Sequence, residues 1–197
     1  MAYSRYKEFN QEVYDRTDRL ARELIKNYLR RNLINESGLD SYTLTLPSWM
    51  GGEEFYLKPN VIEKIEAKYP DYDTLDAIRM YMIDDNPDQY GQDLFIRLPK
   101  KNSKIWVEVE MKSRWEGNFN FSSVHIPYRK KKFLNDGECY FFIISGDLMN
   151  AMVVDGKTML EDTVREIRNT AIAKGELFFD VRTKTCTKIS LCGNMQG

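Results

Sequence analysis

Residues 105–115 read IWVEVEMKSRW, and this stretch decides how the chain folds. Apolar and polar residues alternate along it, which is typical of a β-strand with one buried face. The apolar face carries four residues: Ile105, Val107, Val109 and Met111. The opposite face carries three charged residues: Glu108, Glu110 and Lys112. We therefore predict a strand that packs one face on a core and holds two carboxylates and an ammonium on the other.

The neighbouring segments predict an α/β arrangement around this strand. DLFIRL (93–98) is a second strand, joined to the first by the turn PKKNSK (99–104) as a hairpin. NFNFSSVHI (118–126) predicts a further strand, and Pro127 opens a short basic helix, PYRKKKFL. CYFFIIS (139–145) is continuously apolar, as in a central strand buried on both faces.

The remaining segments predict helices on both sides of this region. Apolar residues recur every three or four positions from Tyr6 to Leu29, apart from a gap that Thr17 fills, which predicts a long amphipathic N-terminal helix of about eight turns with a possible break near residues 15–18. Residues 35–60 are rich in Gly and Pro and predict irregular structure. Short helices follow at 61–68 and from the N-cap Asp73 to about Ile83. A helix over 160–174 and one or two strands within 177–191 complete the chain.

We expect one domain over residues 1–197, with an α/β fold in which helices flank a mixed sheet. The core spans roughly 17–145, and residues 146–197 add a strand–helix–strand elaboration. Of the 197 residues, 42% are apolar and 30% are charged, as in a globular protein, and no apolar run reaches 18 residues. The charged N-terminus and the three cysteines, an odd number, favour a reducing, cytoplasmic location. The single histidine argues against a structural zinc site and excludes chemistry that needs a histidine pair.

Charge is distributed unevenly along the chain. Residues 99–135 contain nine Lys or Arg and three Glu, a net +6, whereas the whole chain has a net charge of −1. A local basic surface suits a polyanionic partner. The alternative is an ordinary solvated surface.

The charged strand face also suits a metal site. Mg²⁺ is usually held by one or two carboxylates together with water and substrate phosphate. Asp93 opens the strand before the one that carries Glu110, so a hairpin would bring the two strands side by side. Lys112, on the same face as Glu110, could orient an attacking water or offset negative charge on a phosphate. These three residues therefore predict a site for phosphodiester hydrolysis.

The pattern Asp93…Glu110-Met111-Lys112 resembles the PD-(D/E)xK nucleases, a superfamily with the restriction-endonuclease-like fold. Its core order of helix, three-stranded meander, helix and strand is similar to the order predicted for residues 17–145. The resemblance implies Asp93 and Glu110 as metal ligands, the Met111 carbonyl as a further ligand and Lys112 as the catalytic lysine. It also implies an acidic residue on the first helix, for which Glu23 is the candidate.

The function implied by this resemblance is that of a Mg²⁺-dependent DNA endonuclease in which Mn²⁺ can substitute. DNA is expected as the substrate in preference to RNA. A homodimer would supply the two active sites that cutting both strands usually requires. We predict four basic residues as nucleic-acid contacts: Arg114, Arg129, Lys130 and Lys132. The alternative is a nuclease-like module that binds nucleic acid or a protein without cutting.

Several assignments stay open at the level of sequence. Asp88, in the literal Pro-Asp dipeptide, competes with Asp93 as the metal ligand, and Asp93 is preferred because it adjoins the apolar strand. Glu108 is a further ligand, a supporting group or a salt-bridge partner. The whole charged face could also be solvated surface with cross-strand ion pairs. For His125 and the two tryptophans that flank the motif, Trp106 and Trp115, structural packing is the default expectation.

Overall fold

The structure is a computed structural model that describes residues 17–100, 103–112, 115–117, 119–166 and 177–192. Residues 22–108 form one compact unit, and residues 17–21 together with the described part of 109–192 form another. The prediction of a single domain over 1–197 stays a prediction. Arg114, the first part of the predicted N-terminal helix and most of the predicted helix over 160–174 lie outside the described residues.

Three α-helices are present in the described residues: α1 (Asp18–Leu33), α2 (Pro59–Lys68) and α3 (Thr74–Met82). The α1 helix buries a stripe with a spacing of four residues: Ala21, Ile25, Leu29 and Leu33. The helices predicted at 61–68 and after Asp73 are confirmed. Asp73 caps α3, because its carboxylate accepts a hydrogen bond from the Asp76 backbone N–H at 2.9 Å.

The unit of residues 22–108 contains two sets of antiparallel strands. The first set has the order β1-β2-β3: Ile34–Gly38, Ser41–Thr45 and Glu54–Tyr56. The second set has the order β4-β5-β6: Ile83–Asp85, Leu94–Arg97 and the first part of Lys104–Lys112. The β5 and β6 strands pair from Arg97 with Lys104 to Leu94 with Val107, so the predicted hairpin is confirmed.

The other unit holds the end of β6 and the remaining strands. Its strand order is β12-β9-β8, with β6 next to β8; the ranges are β8 Cys139–Ser145, β9 Asn150–Asp155 and β12 Thr187–Ser190. All seven residues of β8 are buried, which confirms the prediction of a central strand. A separate antiparallel sheet has the order β10-β11-β7: Val164–Glu166, Leu177–Arg182 and Ser123–Pro127.

Three predictions of local structure are corrected. Residues 35–60 are not irregular, because β1 to β3 occupy much of this region. The segment predicted as a helix from residue 160 forms a 3-10 turn at Glu161–Thr163 and then strand β10. The strand β7 pairs with β11 rather than extending the β5–β6 hairpin into a meander, because its register partner lies over 50 residues further along the chain.

The basic helix predicted after Pro127 is present as a 3-10 helix, Tyr128–Asp136, with Pro127 at the N-cap position. We call Tyr128–Asp136 the basic segment. The described chain is thus of mixed α and β structure, whereas the restriction-endonuclease-like core stays a prediction. Within the described residues, no helix combines the length and hydropathy needed to cross a membrane.

Candidate active site

Glu110 lies on the last part of β6, between two lysines. Lys112 follows two residues later on the same face of the strand and its ammonium contacts Glu110 Oε1. Lys130, from the basic segment, donates a hydrogen bond from Nζ to Glu110 Oε2 at 3.1 Å. The glutamate side chain is 21% exposed, and that of Lys130 is 13% exposed. The unit that contains residues 109–192 therefore brings together one carboxylate and two ammonium groups.

The charge state of Glu110 follows from these contacts. Burial acts to raise the pKa of the carboxyl, because the ionised form loses hydration. The positive charges and hydrogen bonds of Lys130 and Lys112 outweigh this effect and lower the pKa from 4.5 to about 2. Glu110 is consequently an ionised carboxylate over the whole physiological pH range.

The other predicted residues of this region occupy different settings. Met111, between Glu110 and Lys112, is partly buried. Arg129 and Lys132 are exposed on the basic segment. Lys130 was predicted as a phosphate contact, and the structure pairs its ammonium with Glu110 instead. Phosphate binding by Arg129, Lys130 and Lys132 stays a prediction.

Lys131 differs from its neighbour Lys130 in its partners. Its Nζ lies 2.5 Å from Glu161 Oε1 and donates to the Tyr128 hydroxyl at 3.3 Å. The Tyr128 hydroxyl in turn donates to Glu161 Oε2 at 3.2 Å. Two adjacent lysines of the basic segment thus bind different carboxylates.

A second charged cluster lies within residues 22–108 and contains Asp93. Asp93 immediately precedes β5 and forms an ion pair with Arg22, whose Nη1 lies 4.0 Å from Asp93 Oδ1. The Arg22 Nε lies 3.6 Å from Asp85 Oδ1. One arginine on α1 therefore links the carboxylates that end β4 and precede β5.

Lys26 forms ion pairs with both Glu23 and Asp85, so Glu23 belongs to the same cluster. Its Nζ lies 2.7 Å from Glu23 Oε1 and 2.7 Å from Asp85 Oδ2. The lysine side chain is only 8% exposed, whereas that of Glu23 is 48% exposed. Glu23, the candidate acidic residue of the first helix, is a partner of a buried lysine in this unit.

Arg22, Lys26 and Asp85 were not singled out by the sequence reasoning. A signal was available, because Arg22, Lys26 and Arg30 recur every four residues beside the apolar stripe of α1. Arg30 extends the row by donating to the Ile83 carbonyl at 3.0 and 2.8 Å. The β4 residues that these basic side chains contact lie more than 50 residues further along the chain, and no local sequence pattern marks them as partners.

The two competing aspartates have distinct local roles. Asp88 shapes the turn before β5, where its Oδ1 accepts from the Tyr90 N–H at 2.9 Å and its own N–H donates to Asn86 Oδ1 at 3.2 Å. Asp93 adjoins β5, and its carbonyl accepts from the Asn86 N–H at 2.9 Å. Asp93 as the metal ligand stays a prediction.

Glu108 is not part of a solvated face. It is 8% exposed and belongs to the unit of residues 22–108, where β5 pairs with β6. The alternative of a solvated strand face therefore does not hold at Glu108, because this carboxylate is withdrawn from solvent.

The aromatic and histidine side chains near the motif make packing contacts. Trp106 packs edge-on against Phe95 at a centroid distance of 6.0 Å, and Trp115 lies 5.4 Å from Phe119. His125 Nε2 lies 3.3 Å from Asp180 Oδ1, on the strand β11 paired with β7. These contacts agree with the structural roles expected of these residues.

No protein-family model matches the chain, and no curated protein matches it significantly. The similarity to the PD-(D/E)xK nucleases therefore rests on the residues and their order, and membership stays a prediction.

Proposed function

We propose that this protein is a metal-dependent nuclease that hydrolyses phosphodiester bonds, with DNA as its substrate. The observation that carries the proposal is the Glu110 carboxylate on β6, held between Lys112 and Lys130. A carboxylate is a hard oxygen ligand, and ammonium groups beside it can offset the charge that develops on a phosphate during hydrolysis. A pKa of about 2 also means that no proton must leave before a metal binds.

The donor chemistry fits Mg²⁺. One or two carboxylates suffice for this ion when water and phosphate oxygens complete its coordination. We assign Glu110 and the Met111 carbonyl to the metal, and Asp93 by the resemblance to the nuclease pattern. Mn²⁺ is expected to substitute because it takes the same oxygen ligands. When bound, the metal would lower the pKa of a coordinated water and neutralise phosphate charge.

The lysines take the remaining roles in the proposal. Lys112, which shares a strand face with Glu110, positions the attacking water and stabilises negative charge in the transition state. Lys130, whose ammonium pairs with Glu110 Oε2 in the absence of metal, would be available to a phosphate oxygen if that carboxylate oxygen were given over to the metal. The exposed Arg129 and Lys132 contact the nucleic-acid backbone without reading bases.

A second candidate is a nuclease-like module that binds without cutting. It is favoured by the occupation of both Glu110 oxygens by lysines. Among the residues that the structure describes, no group of three or more His, Cys, Asp or Glu side chains could hold a metal. Both candidates predict nucleic-acid binding, but only the nuclease predicts cleavage.

A cleavage assay separates the candidates. The wild-type protein and the Glu110→Gln variant are incubated with supercoiled, linear, single-stranded and branched DNA and with RNA, in Mg²⁺, Mn²⁺ or EDTA. Glu63→Gln, an exposed glutamate on α2, is the matched control. We expect metal-dependent cutting that Glu110→Gln loses and Glu63→Gln keeps. Equal cutting by Glu110→Gln would refute the site assignment, and salt-sensitive binding without cleavage in any metal would support the binding module.

A further inference from the structure

The unit of residues 22–108 contains a surface pocket that none of the proposed catalytic residues lines. Its volume is about 450 Å³, within the range of roughly 300–1,000 Å³ of small-molecule sites. Asn27, Arg30 and Arg31 face it from α1, at the spacing that places them on one side of a helix. Asp76 and Arg79 face it from α3, and Tyr72 lies just before that helix.

The pocket carries a net positive charge. Three arginines and one aspartate line it. The aspartate is already neutralised, because Arg79 Nη1 lies 3.0 Å from Asp76 Oδ1. Arg30 and Arg31 therefore leave two positive charges that no lining carboxylate balances.

The arginines also have donors to offer. Arg30 is held in place by two hydrogen bonds to the Ile83 carbonyl. Arg31 donates its Nε to the Asn27 carbonyl at 3.3 Å, and its terminal nitrogens have no acceptor among the described residues. The Arg79 Nε is buried and lacks an acceptor in the same part of the chain. The lining thus combines one positive group that is held in place, Arg30, with an exposed one, Arg31, whose terminal donors are unused.

We propose that this pocket binds a phosphorylated nucleoside. Guanidinium groups present planar pairs of N–H donors that match two phosphate oxygens, and the exposed Arg31 has terminal donors free for this role. Tyr72, whose side chain is about half exposed, supplies an aromatic surface on which a base stacks. The ligand is either a free nucleotide or the 5′-phosphorylated end of a nucleic-acid strand, since both offer the same chemistry. The proposal goes beyond the nuclease function and does not depend on it.

Calorimetric titration in EDTA tests the proposal without any cleavage. The probes are adenosine 5′-monophosphate, adenosine, and one single-stranded oligonucleotide with and without a 5′-phosphate. The variants are Arg31→Gln and Tyr72→Leu, which change exposed side chains, and Lys64→Gln removes one exposed charge outside the pocket as the control.

We expect the nucleotide to bind more tightly than adenosine. Arg31→Gln should weaken nucleotide binding about tenfold or more, because it removes a charged hydrogen bond to the phosphate, and Lys64→Gln should leave it unchanged. Tyr72→Leu should also lower the affinity for the nucleotide. A preference for the 5′-phosphorylated oligonucleotide that Arg31→Gln removes identifies a strand end as the ligand, and binding of the nucleotide alone identifies the free form. Absence of saturable binding by the wild type, equal affinity for adenosine, or full affinity in Arg31→Gln would overturn the proposal.

Discussion

Lys130 and Glu110 are joined by a contact of 3.1 Å between the lysine Nζ and the carboxylate Oε2, although 20 residues separate them in the chain. This contact fixes the basic segment to the end of β6 and helps to keep the glutamate ionised. It therefore links the two parts of the sequence that carry the proposed function.

The first prediction concerns the stability that this contact provides. Lys130 and Lys112 together hold the pKa of the Glu110 carboxyl at about 2, against 4.5 for the free group. The carboxyl thereby contributes on the order of 3 kcal/mol at neutral pH, and the Lys130 contact supplies one part of this. Because the folded-state pKa is the lower one, the contribution is complete above pH 4.5 and is lost as the pH falls through about 2. Lys130→Met should raise the Glu110 pKa and lower the free energy of unfolding more at pH 7 than near pH 2. Carboxyl NMR titration and urea unfolding of the metal-free protein measure both effects.

Lys131→Met is the control for that experiment. Lys131 is the adjacent lysine, but its carboxylate partner is the exposed Glu161. The Glu110 pKa should remain near 2 in this variant. An unchanged Glu110 pKa in Lys130→Met would contradict the role assigned to the contact.

The second prediction concerns the catalytic lysine. Lys112→Met should abolish metal-dependent cleavage, because the variant retains the strand but has no ammonium beside the reacting phosphate. DNA binding should fall far less than the cleavage rate. The rate of plasmid cleavage and the dissociation constant in Ca²⁺ separate the two quantities. Cleavage at the wild-type rate would show that Lys112 takes no part in the reaction.

The third prediction concerns salt dependence of DNA binding. If Arg129 and Lys132 each neutralise one phosphate of duplex DNA, their joint replacement by glutamine should reduce the slope of log K against log salt concentration by about 2. Fluorescence anisotropy over a salt series measures the slope. Lys184→Gln, an exposed lysine elsewhere in the same unit, should leave it unchanged. A slope equal to that of the wild type would exclude phosphate contacts by these two residues.

The fourth prediction concerns the buried lysine of α1. Lys26→Met leaves Asp85 without one of its two cationic partners, so the free energy of unfolding should fall by about 1–3 kcal/mol. Glu23→Gln should cost less than about 1 kcal/mol, because that carboxylate is half exposed. Urea unfolding of both variants provides the comparison. Equal losses in the two variants would mean that Asp85 is not the important partner.

The elements that were predicted correctly are those whose sequence signal lies within the element or directly beside it. The β5–β6 hairpin follows from strict alternation, and β8 follows from an apolar run of strand length. The α3 helix follows from the side-chain chemistry of its cap, Asp73. In each case the decisive signal lies within about ten residues.

The errors arise where distant residues decide the structure. The strand β7 was predicted as the next strand of a meander, but its backbone pairs with that of β11. The exposed strand β1 has only one buried residue, so its pattern resembles that of a loop. Likewise the Lys26–Asp85 contact spans 59 residues, and no local pattern predicts such a pairing.

The same limits apply to the candidate site. The side-chain alternation around Glu110 and Lys112 predicted their common face. It could not predict that Lys130 would reach the same carboxylate, because this depends on how the basic segment packs. It also could not predict that Glu108 is buried, since burial depends on what covers the strand.

The fully buried strand β8 has a consequence for the newly synthesised chain. Before folding, CYFFIIS is a seven-residue segment without charge, proline or glycine, which is the composition of aggregation-prone sequences. Charged residues stand just before it, from Lys130 to Glu138, in the place where gatekeeper residues commonly flank such segments and keep them in solution. Variants that neutralise several lysines of the basic segment should therefore give less soluble protein. Their yield from refolding must be compared before their activity is interpreted.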